Sequence, residues 1–224
     1  LITMEVPHGA WAYLGRQIKA RVKAPVAQGM RMNIEKAEEL VDRGDFDAIV
    51  MGRPFLADPD VVNKAEAGKA STIRPCVGCN AKCLDMAMVS KPIGCIGNYE
   101  CNREEELEDE NGLMPTEKKS EHPEKILVIG AGPSGMEFAR VAALRGHKVT
   151  IWEKRNRTIG LSLYAATPPR RYDIRYFGQW LERTCRELGV EIILNKEATA
   201  EDIIAASKDY DRVVLACGSK ASIP

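Results

Sequence analysis

The sequence predicts an α/β protein with parallel strands. Two stretches of the chain alternate short apolar runs with amphipathic helices, as expected for parallel strands joined by helical crossovers. In the second stretch a glycine-rich turn lies between a strand and a helix. Between the two stretches, four cysteines crowd into residues 76–95. The residue composition and the pattern of apolar residues therefore divide the chain into segments 1–74, 75–103, 104–124 and 125–224.

The composition is that of an ordinary globular protein and excludes some partners. Hydrophobic residues make up 45% and charged residues 29% of the 224, and no apolar run approaches the roughly 18–20 residues that cross a bilayer. The 32 basic and 32 acidic residues cancel, which favours neither nucleic acid nor a membrane as a partner. Residues 1–9 lack a signal-peptide pattern. We expect a cytoplasmic protein that acts on a small molecule.

The first segment contains a strand–helix–strand unit. A short strand is predicted at 26–27, and Asn33 can cap a helix over 34–41. The apolar run 46–51 forms the second strand. Two parallel strands do not make a self-sufficient sheet, so this unit is expected to belong to a larger one. Residues 104–124 are dense in Glu, Asp and Lys, which predicts a solvated linker.

The last segment carries a nucleotide-binding pattern. Strands are predicted over 126–129, 149–152, 190–194 and 211–216, and helices over 133–145 and 175–188.

Its glycine turn has a physical rationale at each position. Gly130 permits a tight strand-to-helix turn, Gly132 lets the backbone approach a pyrophosphate, and Gly135 lets the helix pack closely. Glu153 ends the next strand about 20 residues on, where an acid accepts ribose hydroxyls. The alternative is a tight glycine turn in an unrelated α/β protein. The strand, the helix and the acid together favour a dinucleotide site.

The cysteine segment has the spacing of a metal centre. Cys76, Cys79 and Cys83 fall within eight residues and Cys95 follows after a loop. Thiolates suit both iron–sulfur clusters and zinc. Structural zinc sites usually pair two CxxC knuckles, whereas this segment has one, so a [4Fe–4S] cluster is favoured and zinc is the alternative. The remaining cysteines are expected to be buried or neutral thiols: Cys101, Cys185 and Cys217.

Two peptides carry a resemblance to a known family. Cys-Val-Gly-Cys-Asn-Ala-Lys-Cys-Leu-Asp at 76–85 is similar to the cluster segment of 2,4-dienoyl-CoA reductase. Met-Gly-Arg-Pro-Phe-Leu-Ala-Asp-Pro at 51–59 resembles the end of the last barrel strand in the old yellow enzyme superfamily. The chain thus resembles the NADH:flavin oxidoreductases that include 2,4-dienoyl-CoA reductase, 2-enoate reductase and trimethylamine dehydrogenase.

The resemblance implies a fold for each segment. Residues 1–74 would be the C-terminal end of an FMN-binding TIM (β/α)8 barrel, 75–103 the 4Fe-4S segment, 104–124 the charged linker, and 125–224 the first part of a Rossmann-like FAD/NAD(P) domain. A barrel needs about 250 residues and Leu1 is not an initiator Met, so the chain is expected to be an inactive fragment. The family's proton-donating residues would precede Leu1, and no catalytic residue is assigned.

The resemblance also implies cofactor contacts. Arg31, Gly52 and Arg53 match an FMN phosphate site, and two arginines beside consecutive strand ends can hold a phosphate; surface ion pairs are the alternative. The chain departs from the family pattern at one point: the family has two adjacent glycines where this chain has Gly160-Leu161. The implied FAD-binding residues are Gly130, Gly132, Ser134, Gly135, Glu153, Ser162 and Ala198.

The implied activity is the reduction of an activated C=C bond in an enoate or enoyl-CoA-like substrate. In the family, NAD(P)H reduces FAD, electrons cross the 4Fe-4S cluster, and FMN passes a hydride to the substrate; one branch demethylates amines instead. The remainder of the same polypeptide is the expected partner, and an oligomer is compatible with the pattern. A non-catalytic zinc and nucleotide-binding module is the alternative from another class. A glutamate-synthase-like subunit is a third, and the barrel signature at 52–54 speaks against it.

Overall fold

The computed structural model describes residues 2–112, 114, 116 and 118–219. It divides into two units, each described by itself. The first comprises Leu1–Glu104 and Pro168–Phe177, and the second comprises Glu105–Thr167 and Gly178–Pro224. The cysteine segment was predicted to end at residue 103, next to the boundary between the units at Glu104. The sequence pattern did not predict that 168–177 belongs to the first unit. In the described part of the chain, no helix is long and apolar enough to cross a membrane.

Short elements make up the first unit. They are α1 Ala12–Lys19, β1 Ala27–Gln28, α2 Ile34–Asp42, β2 Ala48–Ile49, α3 Arg53–Ala57, α4 Val61–Glu66, a 3-10 turn Ala70–Thr72, α5 Leu84–Met88 and, at the division, α6 Glu104–Leu107. The Asn33 side chain accepts the Lys36 N–H at 3.1 Å, which confirms the predicted cap of α2.

The strand pair of this unit is parallel, as predicted, but shorter. Ala27 lies opposite Ala48, whereas the apolar run predicted a strand over 46–51. Phe46 is 1% exposed and packs in the core of this unit instead. The Asp47 side chain accepts the Val26 N–H at 2.8 Å and so takes the place of a ladder carbonyl. The run is therefore paired over only part of its length, and burial does not follow it throughout either, since Val50 is 59% exposed.

A four-stranded parallel sheet organises the second unit. The elements are β3 Lys125–Ile129, α7 Pro133–Leu144, β4 Lys148–Trp152, α8 Ser162–Ala165, α9 Tyr172–Glu187, β5 Glu191–Ile193, α10 Ala200–Ala206 and β6 Arg212–Leu215. By the division of the chain, α9 begins in the first unit and ends in the second.

The strand order positions the nucleotide site. It is β5-β4-β3-β6, with every pair parallel, which confirms the predicted Rossmann-like domain. The chain therefore leaves β3 towards β4 on one side and later returns to form β6 on the other. Ligands of such sheets bind beyond the carboxyl ends of the strands at this switch point. The turn after β3 lies there.

Candidate functional site

The turn after β3 is held by backbone contacts that need glycine. Gly130 has φ +111°, and its N–H donates to the carbonyl of Trp152 at 2.8 Å. A Cβ on Gly135 would collide with the Gly130 carbonyl oxygen, so only glycine lets α7 approach the strand so closely. Gly132 caps α7, and a Cβ there would meet no atom within 4 Å. Ser134 is exposed in the first turn of α7. Free helix N–H groups beside open space suit a phosphate.

Glu153 braces this turn as well as ending β4. It is 6% exposed, its Oε2 accepts the Ala131 N–H at 2.8 Å, and its Oε1 accepts the Arg155 N–H at 2.9 Å. A carboxylate offers about four lone-pair positions. Two therefore remain for ribose hydroxyls, and the predicted role and the bracing role are compatible.

The segment that departs from the family's glycine pair lies against the same turn. The Ile159 N–H donates to the Ala131 carbonyl at 2.8 Å. Leu161 has φ −70° and a 51% exposed side chain, so the backbone at this position does not require glycine. Ser162 begins α8 and is half-buried. Ala198 packs on the core around Trp152.

In the first unit the cysteine segment folds back on itself. Cys76, Cys79, Cys83 and Cys95 are all half-buried. The Gly94 N–H donates to the Lys82 carbonyl at 3.0 Å, which returns the distal cysteine to the vicinity of Cys83. The loop between the first two cysteines also turns an amide inward, since the Gly78 N–H lies 3.4 Å from the Cys76 sulfur.

The pKa shifts of the cysteine thiols depend on burial and on the neighbouring thiols. Burial raises the pKa of Cys76 and of Cys79, and the nearby Cys95 thiol raises both further. The Gly78 amide and the guanidinium groups of Arg53 and Arg31 act in the opposite direction on Cys76. Within the described residues, no group of three or more His, Cys, Asp or Glu side chains is placed to hold a single metal ion. A cubane sets a different requirement, because each of its four thiolates binds its own iron.

The other cysteines divide by environment. Cys101 and Cys185 are buried, as expected, whereas Cys217 is exposed after β6. Burial raises the pKa of Cys185 to about 12.

Arg31 is committed to protein partners. Its side chain is 5% exposed and pairs with Asp173, and it donates to the carbonyls of Val6 at 2.8 Å and Met4 at 3.0 Å. The second carboxylate oxygen of Asp173 lies 3.7 Å from His8 Nε2. Desolvation and the Arg31 charge lower the pKa of His8 although Asp173 opposes them. The Arg31 charge is therefore met by Asp173 in this structure, and its predicted phosphate role stays a prediction.

Arg53 points towards the cysteine segment. Its Nη1 donates to the Asn80 side-chain oxygen at 2.5 Å and to the Ile2 carbonyl at 2.9 Å. A cavity of about 1140 Å3 in the first unit is lined by residues of both predicted sites. They are Arg31, Gly52, Arg53, Cys76 and Cys83.

Two residues of this site were not predicted from the sequence. Asn80 carried a local signal, since it follows Cys79 directly and asparagine tolerates a left-handed backbone. Asp173 carried none, because 142 residues separate it from Arg31.

The fold and the turn after β3 define a dinucleotide-binding oxidoreductase domain: a parallel sheet, a glycine turn at its switch point and an acid at the end of the next strand. The chain belongs to the pyridine nucleotide-disulphide oxidoreductase family, whose model matches residues 76–224.

The whole chain is similar to parts of several larger oxidoreductases. It is 47% identical to the metal reductase of Desulforamulus reducens over 100% of this chain and 33% of that protein. It is 38% identical to the cinnamate reductase of Clostridium sporogenes over 90% of this chain and 29% of that protein. A solved 2-naphthoyl-CoA reductase complex superposes with a TM-score of 0.88 at 35% identity, covering 100% of this chain and 33% of that one.

These matches confirm the expected resemblance to the 2-enoate reductase and trimethylamine dehydrogenase type of oxidoreductase. Amine dehydrogenases match as well, at about 32% identity. The chain spans about a third of the length of the curated relatives it matches. The barrel and the cluster stay predictions.

Proposed function

We propose that the protein is an NAD(P)H-dependent flavin oxidoreductase that reduces an activated C=C bond of an enoate or enoyl-CoA-like substrate. One observation carries the proposal: a single chain combines the braced glycine turn with a segment of four cysteines, of which Cys76 and Cys83 line a cavity together with Arg53. A dinucleotide site and a one-electron centre carried by the same chain are typical of enzymes that split a hydride into single electrons.

The residues fit the groups they would hold. The open first turn of α7 would receive the FAD pyrophosphate, and the two unused lone-pair positions of Glu153 would accept ribose hydroxyls. Ser162 and Ala198 are proposed as further FAD contacts. At the FMN phosphate, Gly52 and Arg53 would supply amides and guanidinium donors. The proposed cluster ligands are Cys76, Cys79, Cys83 and Cys95.

When bound, the flavins would exchange hydride with NAD(P)H and substrate, and the 4Fe-4S cluster would carry single electrons from FAD to FMN. The chain's own contribution is to bind and orient these groups and to set the charge around them. The proposed partners are a small-molecule substrate and the remainder of the same polypeptide, and the proposed compartment is the cytoplasm.

The test begins with the complete polypeptide that contains this chain, prepared anaerobically as holoprotein. We expect four iron and four labile sulfide per chain for one cubane, both flavins, and NADH-dependent reduction of cinnamate or an enoyl-CoA thioester. Cys76→Ala should remove iron and sulfide together. Cys217→Ala, at an exposed thiol, should retain both. A colourless protein that contains zinc would contradict the proposal and favour the non-catalytic module.

A second candidate is an amine dehydrogenase, which the matches to dehydrogenases of methylated amines favour. Anaerobic addition of dimethylamine or sarcosine without NADH distinguishes the two. Bleaching of the flavin absorbance by the amine, with no turnover of cinnamate, would support this candidate over the ene-reductase.

A further inference from the structure

Both ends of the four-cysteine stretch are hydrogen-bonded to the C-terminal end of α3. On the entry side, the Arg74 N–H donates to the buried side chain of Asp58 at 2.8 Å, two residues before the first cysteine. On the return side, the side-chain nitrogen of Asn98 donates to the Leu56 carbonyl at 3.1 Å, three residues after the last cysteine. Asp58 is the C-cap residue of α3. One helix end therefore holds the chain on both sides of the predicted ligands.

The Asn98 amide matches its two partners in only one orientation. The residue is 4% exposed, its Nδ2 donates to the Leu56 carbonyl, and its Oδ1 accepts the Glu100 N–H at 3.3 Å. One partner accepts and the other donates, so this position needs a side chain with a donor end and an acceptor end. The Leu56 carbonyl lies in the last turn of α3, where carbonyls lack an intrahelical partner. The Asn98 side chain supplies that partner.

The position of the last cysteine depends on this loop. The first three cysteines lie within eight residues, so a short piece of chain limits their relative placement, whereas eleven residues separate Cys83 from Cys95. The Gly94 N–H donates to the Lys82 carbonyl and fixes the chain just before Cys95. The bond from Asn98 to α3 fixes it just after. A cubane needs its fourth thiolate held as closely as the other three.

We propose that Asn98 is a positioning residue for Cys95, because it fastens the return loop to α3 and so keeps the fourth thiolate at its iron. This inference rests on the proposed function, since it needs the four cysteines to hold a 4Fe-4S cluster. Loss of the bond to α3 would leave the first three thiolates in place and loosen the fourth. The iron bound by Cys95 would then be the first to leave an assembled cluster.

Controlled oxidation of the complete polypeptide, prepared anaerobically as holoprotein, tests this order of loss. Iron and labile sulfide are measured first, and variants are compared at equal starting content. Ferricyanide takes one electron from the 4Fe-4S cluster, whose charge rises from 2+ to 3+, and release of Fe2+ then leaves a 3Fe-4S cluster of charge 1+. Electron paramagnetic resonance detects the 3Fe-4S cluster, and a coloured ferrous chelator measures the released iron. Sulfide content shows whether the rest of the cluster survives.

Two variants separate the donor from the rest of the side chain. Asn98→Asp keeps an acceptor for the Glu100 N–H but has no donor for the Leu56 carbonyl. Asn98→Ala loses both bonds without introducing a charge. The matched control is Asn102→Asp, the same substitution at an exposed residue of the same segment. The Asn102 side chain donates at 3.1 Å to the Ile93 carbonyl, within the segment rather than on α3.

We expect both Asn98 variants to release one iron per cluster about 10–100-fold faster than the unmodified protein, the usual effect of removing a hydrogen bond that orients a metal ligand. The signal of the 3Fe-4S cluster should rise in step with the released iron while sulfide is retained. Asn102→Asp should release iron at the rate of the unmodified protein.

Three results would overturn this inference alone. Release of iron at the unmodified rate from Asn98→Ala would mean that the bond to α3 does not hold Cys95, and that any effect of Asn98→Asp comes from its charge. Joint loss of iron and sulfide, without a 3Fe-4S signal, would mean that Asn98 stabilises the whole segment rather than the fourth ligand. Equal acceleration in Asn102→Asp would mean that attachment to α3 has no special role. Absence of iron and sulfide from the unmodified holoprotein is a separate failure, because it overturns the proposed function itself.

Discussion

Replacing Glu153 tests whether one carboxylate both braces the glycine turn and holds the nucleotide. Its two oxygens accept the Ala131 and Arg155 amides at 2.8 and 2.9 Å in a buried site. A hydrogen bond to a charged group contributes about 1.5–3 kcal/mol. Glu153→Ala leaves one buried and one part-buried amide without acceptors, so the free energy of unfolding should fall by roughly 3–6 kcal/mol. Glu153→Gln keeps one acceptor and should cost about half as much.

The same substitutions should weaken FAD binding. Loss of one charge-assisted hydrogen bond to the ribose corresponds to about one to two decades in affinity. Denaturant unfolding followed by circular dichroism measures the first effect, and quenching of flavin fluorescence measures the second. Glu197→Gln is the control, because that side chain is 76% exposed and its carboxylate lies 4.0 Å from Lys154. If Glu153→Gln unfolds at the same denaturant concentration and binds FAD equally well, the bracing role and the ribose role are both wrong.

Three further predictions use other contacts. Arg31→Met should lower the free energy of unfolding by about 3–5 kcal/mol, because Asp173 is left buried without its partner. The Arg31→Met/Asp173→Leu double variant should recover part of this loss in denaturant unfolding. Equal free energies of unfolding for the single and the double variant would refute the coupling. At pH 8, iodoacetamide should label the exposed Cys217 in the folded protein and leave Cys185 unlabelled. Burial raises the pKa of Cys185 to about 12 and keeps it a protonated thiol. Early modification of Cys185, detected by mass spectrometry, would contradict its burial. Leu161→Gly should leave FAD affinity unchanged and cost about 0.5–1 kcal/mol of stability; a large gain in affinity would show that the leucine obstructs the flavin.

The geometry of the glycine turn after β3 could be predicted from the sequence because its signals are local. A strand, three spaced glycines and an acid at the end of the next strand are adjacent in the chain, and backbone geometry dictates their types. The β2 strand was overestimated for a related reason. An apolar run such as 46–51 is compatible with a strand over its whole length, whereas pairing depends on the neighbouring segment, and here the Asp47 side chain accepts the Val26 N–H.

The barrel-end arginines show where sequence reasoning stops. Arg31 and Arg53 look equivalent in the sequence, since each follows a predicted strand beside a glycine. Their environments differ because distant segments supply their partners: Asp173 neutralises the first, and Asn80 orients the second. Neither partner can be deduced from spacing, because tertiary contacts of this kind leave no periodic signal.

The pairing of Arg31 with Asp173 has a consequence for synthesis on the ribosome. The two residues are 142 positions apart, which at about 5–20 residues per second corresponds to roughly 7–28 s between their emergence. All four cysteines are translated within that interval, before Asp173, while the buried arginine still lacks its carboxylate. If the four cysteines hold the proposed cluster, insertion before Asp173 is translated would meet Arg31 without its carboxylate, and later insertion would meet the paired arginine. Among pulse-labelled chains, those stalled after residue 173 should therefore retain more iron than those stalled before it.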